Sequence, residues 1–303
     1  MNAPVVLFVY NRPEHTKKVL ESLSENILAK ETDLYVFSDA AKSEKGQEKV
    51  DEVRALIRKT DWRKNFQKVT VVEAVENKGL ANSIIGGVSS VLKDYGKVIV
   101  LEDDLILSPY FLQYMNRALD FYKDDPKIWS VSGYSFPMKS LRRYPHDVFY
   151  SYRGCSWGWA TWEDRWEKTD WEVADYDRFL QDKGWQKQFN RGGADLTGML
   201  GLQMEGKINS WAVRWVFAQS NLNMYTVYPK HSYLLNDGCD GSGTHVGNTA
   251  EYSTSIGEGA SVCKFERLDV DPKIAREFWY KYSDTLDKKI KRNLKKLLKR
   301  HEK

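Results

Sequence analysis

The chain has few cysteines and no long apolar run. Its 303 residues include three cysteines, Cys155, Cys239 and Cys263. Their odd number and long spacings fit neither a disulfide framework nor a structural metal site, so we expect reduced thiols. No stretch of about 18 apolar residues occurs, which predicts no transmembrane helix, and the N-terminal residues lack the pattern of a signal peptide. These absences favour a cytoplasmic protein.

The charge is distributed unevenly along the chain. Residues 281–303 hold ten Lys or Arg against three Asp or Glu, a charge of +7, whereas the net charge is +4, so the preceding residues sum to −3. Apolar residues recur there at helical spacing, at Ile290, Leu294, Leu297 and Leu298. We predict a basic amphipathic helix that binds an anionic membrane surface, on the inner face of the membrane, or packs on the body. Nucleic acid is a less favoured partner, because the acidic body offers no second basic patch.

The first half of the chain alternates predicted strands and helices. The strands cover residues 4–10, 34–37, 69–72 and 97–101, and helices follow them, one beginning at Pro13 and the others at 44–60, 79–92 and 109–122. This order predicts an α/β fold with a mixed, mostly parallel, Rossmann-like central sheet flanked by helices. Right-handed crossovers bring the ends of the first, second and fourth strands to one rim, where ligands bind.

Three consecutive acids follow the fourth predicted strand. The segment reads Val98-Ile99-Val100-Leu101-Glu102-Asp103-Asp104, a buried strand that delivers carboxylates to its C-terminal end. Adjacent acids repel each other and are costly to desolvate, and a divalent cation relieves both costs. Hard oxygen ligands suit Mg²⁺ or Mn²⁺. The alternative is a solvated acidic turn, and the position at a strand end favours the metal site.

The same residues carry a resemblance to a known family. Val100–Leu105, followed by Ser108-Pro109-Tyr110-Phe111, resembles the metal-binding segment of the N-acetylglucosaminyltransferase I type, and roughly residues 3–248 are similar to bacterial sugar transferases related to it. The resemblance implies a GT-A fold and an inverting, metal-dependent glycosyltransferase that uses a UDP-sugar and a saccharide or lipid-linked glycan acceptor. We expect one domain at 1–265, with a nucleotide-sugar half (1–125) and an acceptor half (126–265), and a helical tail at 266–303.

The resemblance also implies roles for individual residues. Nucleotide and donor contacts fall on Arg12 at the phosphates, Asp39 at the uracil, Lys78 and Gly79 beside the nucleotide, and Glu102 and Asp103 at the ribose and donor sugar. Asp104 and His245 would bind the metal, Mn²⁺ or Mg²⁺, with His245 in a loop that closes over the diphosphate. Simpler roles stay open, because Asp39 can cap a turn and a lone histidine is often structural.

The expected catalytic base position holds an amide. In the family an Asp begins the segment that here reads Asn209-Ser210-Trp211, and an amide cannot accept the proton of an acceptor hydroxyl. Either Asn209 is not the equivalent position, or the activity is impaired, or another acid serves. The nearest candidate is Asp195, which follows Gly192-Gly193-Ala194, and Asp237 and Asp240 are others.

The acceptor site is expected among tryptophans. Five of them lie between residues 151 and 171, and aromatic faces bury the apolar faces of sugar rings. We expect Trp157, Trp159 and Trp211 at the acceptor, with Trp157 and Trp159 exposed in a flexible segment and the other tryptophans in the core. Polar partners for the acceptor would come from a nearby set: Arg153, Glu163, Asp164 and Arg165.

Three other functions remain open from the sequence. A nucleotide-sugar-binding protein without turnover is compatible with Asn209. A sugar-nucleotide nucleotidyltransferase needs a Gly-rich phosphate loop after the first strand, where this chain has Asn11-Arg12-Pro13. A phosphatase with Asp103 as nucleophile needs its acids after the first strand rather than the fourth.

Overall fold

Eight strands form one mixed sheet in the computed structural model, which describes residues 1–59, 62–238, 254, 256 and 263–283. The strands are β1 (Val5–Val9), β2 (Asp33–Ser38), β3 (Lys68–Glu73), β4 (Lys97–Glu102), β6 (Ile128–Ser132), β7 (Val148–Ser151), β8 (Trp159–Trp162) and β9 (Tyr225–Pro229). Their order is β3-β2-β1-β4-β8-β6-β9-β7. The first four strands are mutually parallel, and β7 and β8 run against their neighbours.

A second, two-stranded sheet lies after β4. It pairs β5 (Leu105–Leu107) with β10 (Leu234–Asn236) in antiparallel register, so that Asn236 lies opposite Leu105. The backbone N–H of Asp237 then donates to the carbonyl of Asp104 at 2.8 Å. This pairing brings a segment about 130 residues further along the chain to the predicted acidic cluster.

Helices flank the large sheet. They are α1 (Pro13–Ser24), α2 (Gln47–Arg58), α3 (Gly79–Tyr95), α4 (Phe111–Tyr122), α5 (Glu163–Trp166), α6 (Tyr176–Gln181), α7 (Lys183–Phe189), α8 (Leu196–Met204), α9 (Trp211–Asn221) and α10 (Pro272–Lys281). Pro13 occupies the first turn of α1, where its missing N–H is not needed. The left-handed Gly96, with φ 68°, ends α3.

The two faces of the sheet bury alternate residues of the same strands. In β1, Val5, Leu7 and Val9 enter one apolar cluster, whereas Val6 and Phe8 enter the other. All five residues of β1 are buried, as is typical of a parallel strand covered by helices on both faces. The predicted α/β fold is confirmed, and the four predicted strands match β1 to β4 closely.

The C-terminal part of the described chain packs on the body. Ile274 and Phe278 of α10 are buried in one of the two main clusters, and Phe278 contacts the ring of Tyr228 at 5.3 Å. Residues 266–283 of the predicted tail therefore lie against the domain, and the basic helix expected around Ile290 falls outside the described residues. Within the described chain, no helix combines the length and apolarity that crossing a bilayer requires.

Candidate active site

The ends of β1 and β4 bring Arg12, Asp103 and Asp104 together. Phe8 pairs with Glu102 in parallel register, so both strands reach the same rim. Arg12 Nη2 donates to Asp103 Oδ1 and, at 3.0 Å, to Asp104 Oδ2, and Arg12 Nε lies 3.4 Å from Asp103 Oδ2. Asp103 is buried. The rim predicted from the strand order thus carries a cluster of one guanidinium and adjacent carboxylates.

The acids of this cluster outnumber its one positive group. Burial raises the pKa of Glu102 well above its ordinary value, and the charges of Asp104 and Asp103 raise it further, against the opposing effect of Arg12. Burial also raises the pKa of Asp103, although Arg12 opposes the shift. Full ionisation of these acids is therefore costly, and an additional cation would stabilise it.

One oxygen of the cluster fits a divalent cation. Asp104 Oδ1 is buried and has no hydrogen-bond partner, while its other oxygen faces Arg12. Among the described residues, no group of three or more His, Cys, Asp or Glu side chains could hold a metal ion. Mg²⁺ sites commonly use one or two carboxylates and complete their shell with water and substrate phosphates. Asp104 suits such a site, and His245 lies outside the described residues.

The segment after β10 closes one side of Asp104. Lys18 Nζ donates to Asp237 Oδ2 at 2.6 Å, which ties this segment to α1. A Cβ atom at Gly238 would overlap the Asp104 carboxylate, so only glycine fits there without a shift. Sequence reasoning considered Asp237 only as a base and missed Lys18 and Gly238, because no local pattern relates them to Asp104.

Asp39 organises the start of α3. Its Oδ1 accepts from the backbone N–H of Ala40 and Lys78, both at 2.9 Å, and its Oδ2 accepts from the N–H of Gly79 at 2.9 Å and from Asn77 Nδ2 at 3.1 Å. A carboxylate offers about four acceptor positions, so these donors occupy all of them. The turn-capping alternative for Asp39 therefore has direct support, and its uracil contact stays a prediction.

Asp195 forms a bidentate ion pair with Arg153. Its two oxygens accept from Arg153 Nη1 and Nη2 at 2.8 and 2.9 Å. The same guanidinium lies over the ring of Tyr282, 4.0 Å from its centre, so this pair joins the start of α8 to the end of α10. No described contact links Asp195 to Asp104. Its role as a base stays a prediction.

Asn209 is exposed and lies two residues before the start of α9. Its Oδ1 accepts from Arg214 Nη2 at 3.3 Å, and the following Ser210 caps the helix by accepting from the N–H of Val213. Burial lowers the pKa of Arg214. An amide therefore stands where a carboxylate would meet a guanidinium, and the catalytic role of this position stays a prediction.

The tryptophans are mostly core, and the expected exposure of Trp159 is wrong. Trp159 is 1% and Trp211 is 3% exposed, and their rings stack at 4.9 Å. β8 carries Trp159 between β4 and β6, which buries the side chain beneath α9. Neither ring can therefore stack on an acceptor as the side chains lie. Trp157 is half-buried and packs edge-on against Tyr134 at 4.8 Å.

Of the polar residues expected at the acceptor, both arginines are engaged by other groups of the protein. Arg165 is buried and donates to the backbone carbonyls of Lys123, Asp125 and Ile128 and to Asp164. These contacts give Arg165 a structural role between α5 and β6. Arg153 is held by Asp195, as described above, and Glu163 begins α5.

The comparisons with known proteins identify a family. The family model of Glycosyl transferase family 2 matches residues 5–186, which include β1 to β4 and the whole Arg12–Asp104 cluster. The chain belongs to glycosyl transferase family 2. The expected resemblance to GT-A glycosyltransferases is thereby confirmed, and the finer likeness to the N-acetylglucosaminyltransferase I type stays a prediction. No curated protein matches the chain.

Solved structures of S. aureus TarS are similar to the chain. TarS 1-349 has 13% sequence identity and a TM-score of 0.44, over 77% of this chain and 60% of that chain. The same fragment in complex with UDP has 13% identity and a TM-score of 0.41 over the same shares. A structure of TarS has 15% identity and a TM-score of 0.40, over 56% of this chain and 30% of that chain. The chain thus spans less than two thirds of the length of these matched TarS chains.

Proposed function

We propose that the chain transfers a sugar from a UDP-sugar to a saccharide hydroxyl, with a divalent cation, Mn²⁺ or Mg²⁺, at Asp104. Membership of glycosyl transferase family 2 supports the reaction class. The observation that carries the site is the cluster of Arg12, Asp103 and Asp104, which leaves one buried Asp104 oxygen unpaired. Membership of this family also favours glycosyl transfer over the nucleotidyltransferase and phosphatase alternatives.

Each residue at the rim contacts a different part of the donor in this proposal. A cation at Asp104 supplies positive charge that stabilises the departing diphosphate. Arg12 directs Nε and Nη2 at the aspartates and leaves Nη1 without a partner, so Nη1 is the donor available to a phosphate oxygen. Lys78 and Gly79 lie at the start of α3 beside the donor, where the positive end of the helix dipole favours an anion, although their own backbone N–H groups donate to Asp39. Glu102 and Asp103 accept hydrogen bonds from hydroxyl groups of the ribose and donor sugar.

We also propose that the transfer inverts the anomeric configuration, and we propose an acceptor site and a cellular location. Inverting transfer needs a base for the acceptor hydroxyl, and Asp195 and Asp237 are the described candidates because Asn209 cannot serve. Trp157 is the remaining aromatic candidate for the acceptor, a saccharide or lipid-linked glycan. We keep a cytoplasmic location at the inner membrane face, with residues 281–303 on anionic lipid.

A second candidate function is nucleotide-sugar binding without transfer. One observation favours it: Asn209, which precedes the capping residue of α9, is an exposed amide that accepts from Arg214, where a transferase is expected to carry a carboxylate. This alternative shares the donor site and differs only in turnover. Donor binding and product formation therefore have to be measured separately.

Calorimetric titration with UDP tests the donor site. We expect UDP to bind the full chain in the presence of Mn²⁺, and Asp104→Asn to weaken binding by about tenfold or more, since a charge-assisted contact to the cation is lost. Asp120→Asn is the matched control, because Asp120 is 70% exposed and forms a surface ion pair with Lys97. Equal binding without a cation would contradict the metal site, and no binding under any condition would contradict the UDP donor.

Product formation separates the two candidate functions. Incubation with a panel of UDP-sugars and saccharide acceptors should yield a glycosylated product if transfer occurs. Retained UDP binding with no product from any pair would support the binding protein.

A further inference from the structure

One face of α10 combines basic and aromatic side chains. Lys273, Arg276, Trp279 and Tyr280 are all exposed, with 37% of Trp279 and 45% of Tyr280 accessible. At 3.6 residues per turn these positions share one side of the helix. Ile274 and Phe278 occupy the opposite side and are buried in the core. The helix is therefore anchored through one face and presents the other to its surroundings.

A second basic segment is held beside this helix. Glu277 of α10 accepts from the backbone N–H groups of Lys139 and Ser140 at 2.7 and 2.8 Å. These residues lead into a short 3-10 turn, Ser140–Arg143, whose Arg142 and Arg143 are exposed. We name the combined surface the α10 face: Arg142, Arg143, Lys273, Arg276, Trp279 and Tyr280.

The chemistry of the α10 face fits an anionic lipid surface. Trp and Tyr rings have an apolar body and a polar edge, and they favour the boundary between lipid headgroups and acyl chains. Lys and Arg side chains beside them attract anionic headgroups. The sequence that follows, residues 284–303, adds nine Lys or Arg against three Asp or Glu. Positive charge thus continues from the α10 face into the rest of the chain.

We propose that the α10 face docks the folded body on an anionic lipid bilayer. The proposal goes beyond a basic tail that tethers the protein, because a rigid face fixes how the body is oriented on the membrane. The end of α10 is held in place by Tyr282, whose ring lies beneath the partly buried Arg153 guanidinium. The inference does not depend on the sugar donor or on turnover.

Vesicle co-sedimentation of the full chain tests the α10 face. The vesicles contain phosphatidylcholine alone, or phosphatidylcholine with phosphatidylglycerol. We expect binding only to the anionic vesicles and a decrease with added salt. Lys273→Glu with Arg276→Glu should weaken binding by about tenfold or more, and Trp279→Ala should weaken it without a change in charge.

A control at the other edge of the sheet has the same change in charge. Lys64→Glu with Lys68→Glu alters two exposed residues at or beside β3, and this variant should bind anionic vesicles nearly as the wild type does. Equal weakening of both double variants would overturn the proposal, because net charge alone would explain it. Wild-type binding by the Lys273/Arg276 variant would overturn it as well, since the tail would then suffice.

Two further measurements keep the outcome decisive. Circular dichroism and the melting temperature should be unchanged in each variant, and if the double variant does not fold, Trp279→Ala alone decides. Sedimentation velocity tests whether a second copy covers the face. Self-association that Trp279→Ala abolishes, with vesicle binding unaffected, would overturn the membrane proposal.

Discussion

The Arg12 guanidinium lies 3.0 Å from the Asp104 carboxylate and also bonds to Asp103. Burial lowers the pKa of Arg12, but the charges and hydrogen bonds of the two aspartates raise it more strongly, so the side chain stays positive. Arg12 supplies the positive charge nearest to these acids. Two atoms at the same place lack partners, Arg12 Nη1 and Asp104 Oδ1. We infer that the cluster is arranged to accept both a cation and an anionic group.

Arg12→Ala should destabilise the fold and increase its response to Mn²⁺. The variant leaves Asp103 buried without its positive partner, and removing one partner of a buried pair costs about 3–5 kcal/mol. A cation at Asp104 would then replace part of the lost charge. We expect a lower melting temperature than in the wild type, and a larger increase on addition of Mn²⁺.

Arg58→Ala is the control for Arg12→Ala. Arg58 pairs with Glu73, but its side chain is 63% exposed, and exposed ion pairs contribute little to stability. Its melting temperature should be close to that of the wild type with or without Mn²⁺. An identical Mn²⁺ response in Arg12→Ala and the wild type would show that Arg12 does not compete with a cation for Asp104.

Glu102→Gln should be more stable than the wild type at high pH, and the difference should grow as the pH rises. The folded-state pKa of Glu102 is raised, mainly by burial and then by Asp104 and Asp103, so its favourable contribution is complete below the unfolded pKa and is lost as the pH rises through the folded value. The neutral amide avoids that loss. The melting temperatures of the variant and the wild type should be similar near about pH 4 and diverge above it. Asp124→Asn, at an 82% exposed carboxylate, should show no such divergence.

Asp39→Asn should lower the free energy of unfolding even in the absence of a nucleotide. The carboxylate accepts four hydrogen bonds, and the amide has one acceptor oxygen and would direct its NH₂ group at donors. Leaving such donors unsatisfied costs about 1–3 kcal/mol. Denaturant unfolding of the nucleotide-free protein measures the effect. If stability is unchanged and only UDP binding falls, Asp39 acts on the uracil rather than on the start of α3.

Strands β1 to β4 and the acidic cluster could be predicted from the sequence because their signals are local. Each strand is a short apolar run followed by a polar residue, and parallel strands place those polar residues at one rim. The pairing of Arg12 with Asp103 joins residues 91 positions apart, and no pattern in the sequence specifies the contact of Asp237 with Asp104.

The exposure of Trp159 was predicted wrongly because its burial also depends on residues distant in the sequence. Gly158 between Trp157 and Trp159 suggested an exposed, flexible loop. In the structure, Gly158 has φ 55°, and an added Cβ would overlap Leu234, so the glycine permits close packing rather than mobility. Burial of Trp159 depends on α9, which comes some 50 residues later in the chain and carries Trp211 and Trp215.

Substitution of Asn209 tests whether the chain is a transferase or a binding protein. We expect Asn209→Asp to raise turnover by about 10²–10⁴-fold, the usual contribution of a general base, because the introduced carboxylate can accept the proton of an acceptor hydroxyl. Arg214, whose Nη2 now lies 3.3 Å from Asn209 Oδ1, would orient it. Initial rates with a UDP-sugar and acceptor measure the gain, and Asn209→Ala should show none. Asp195→Asn tests the rival base: abolished turnover there, together with no gain from Asn209→Asp, would assign proton transfer to Asp195 and contradict the impaired-base interpretation.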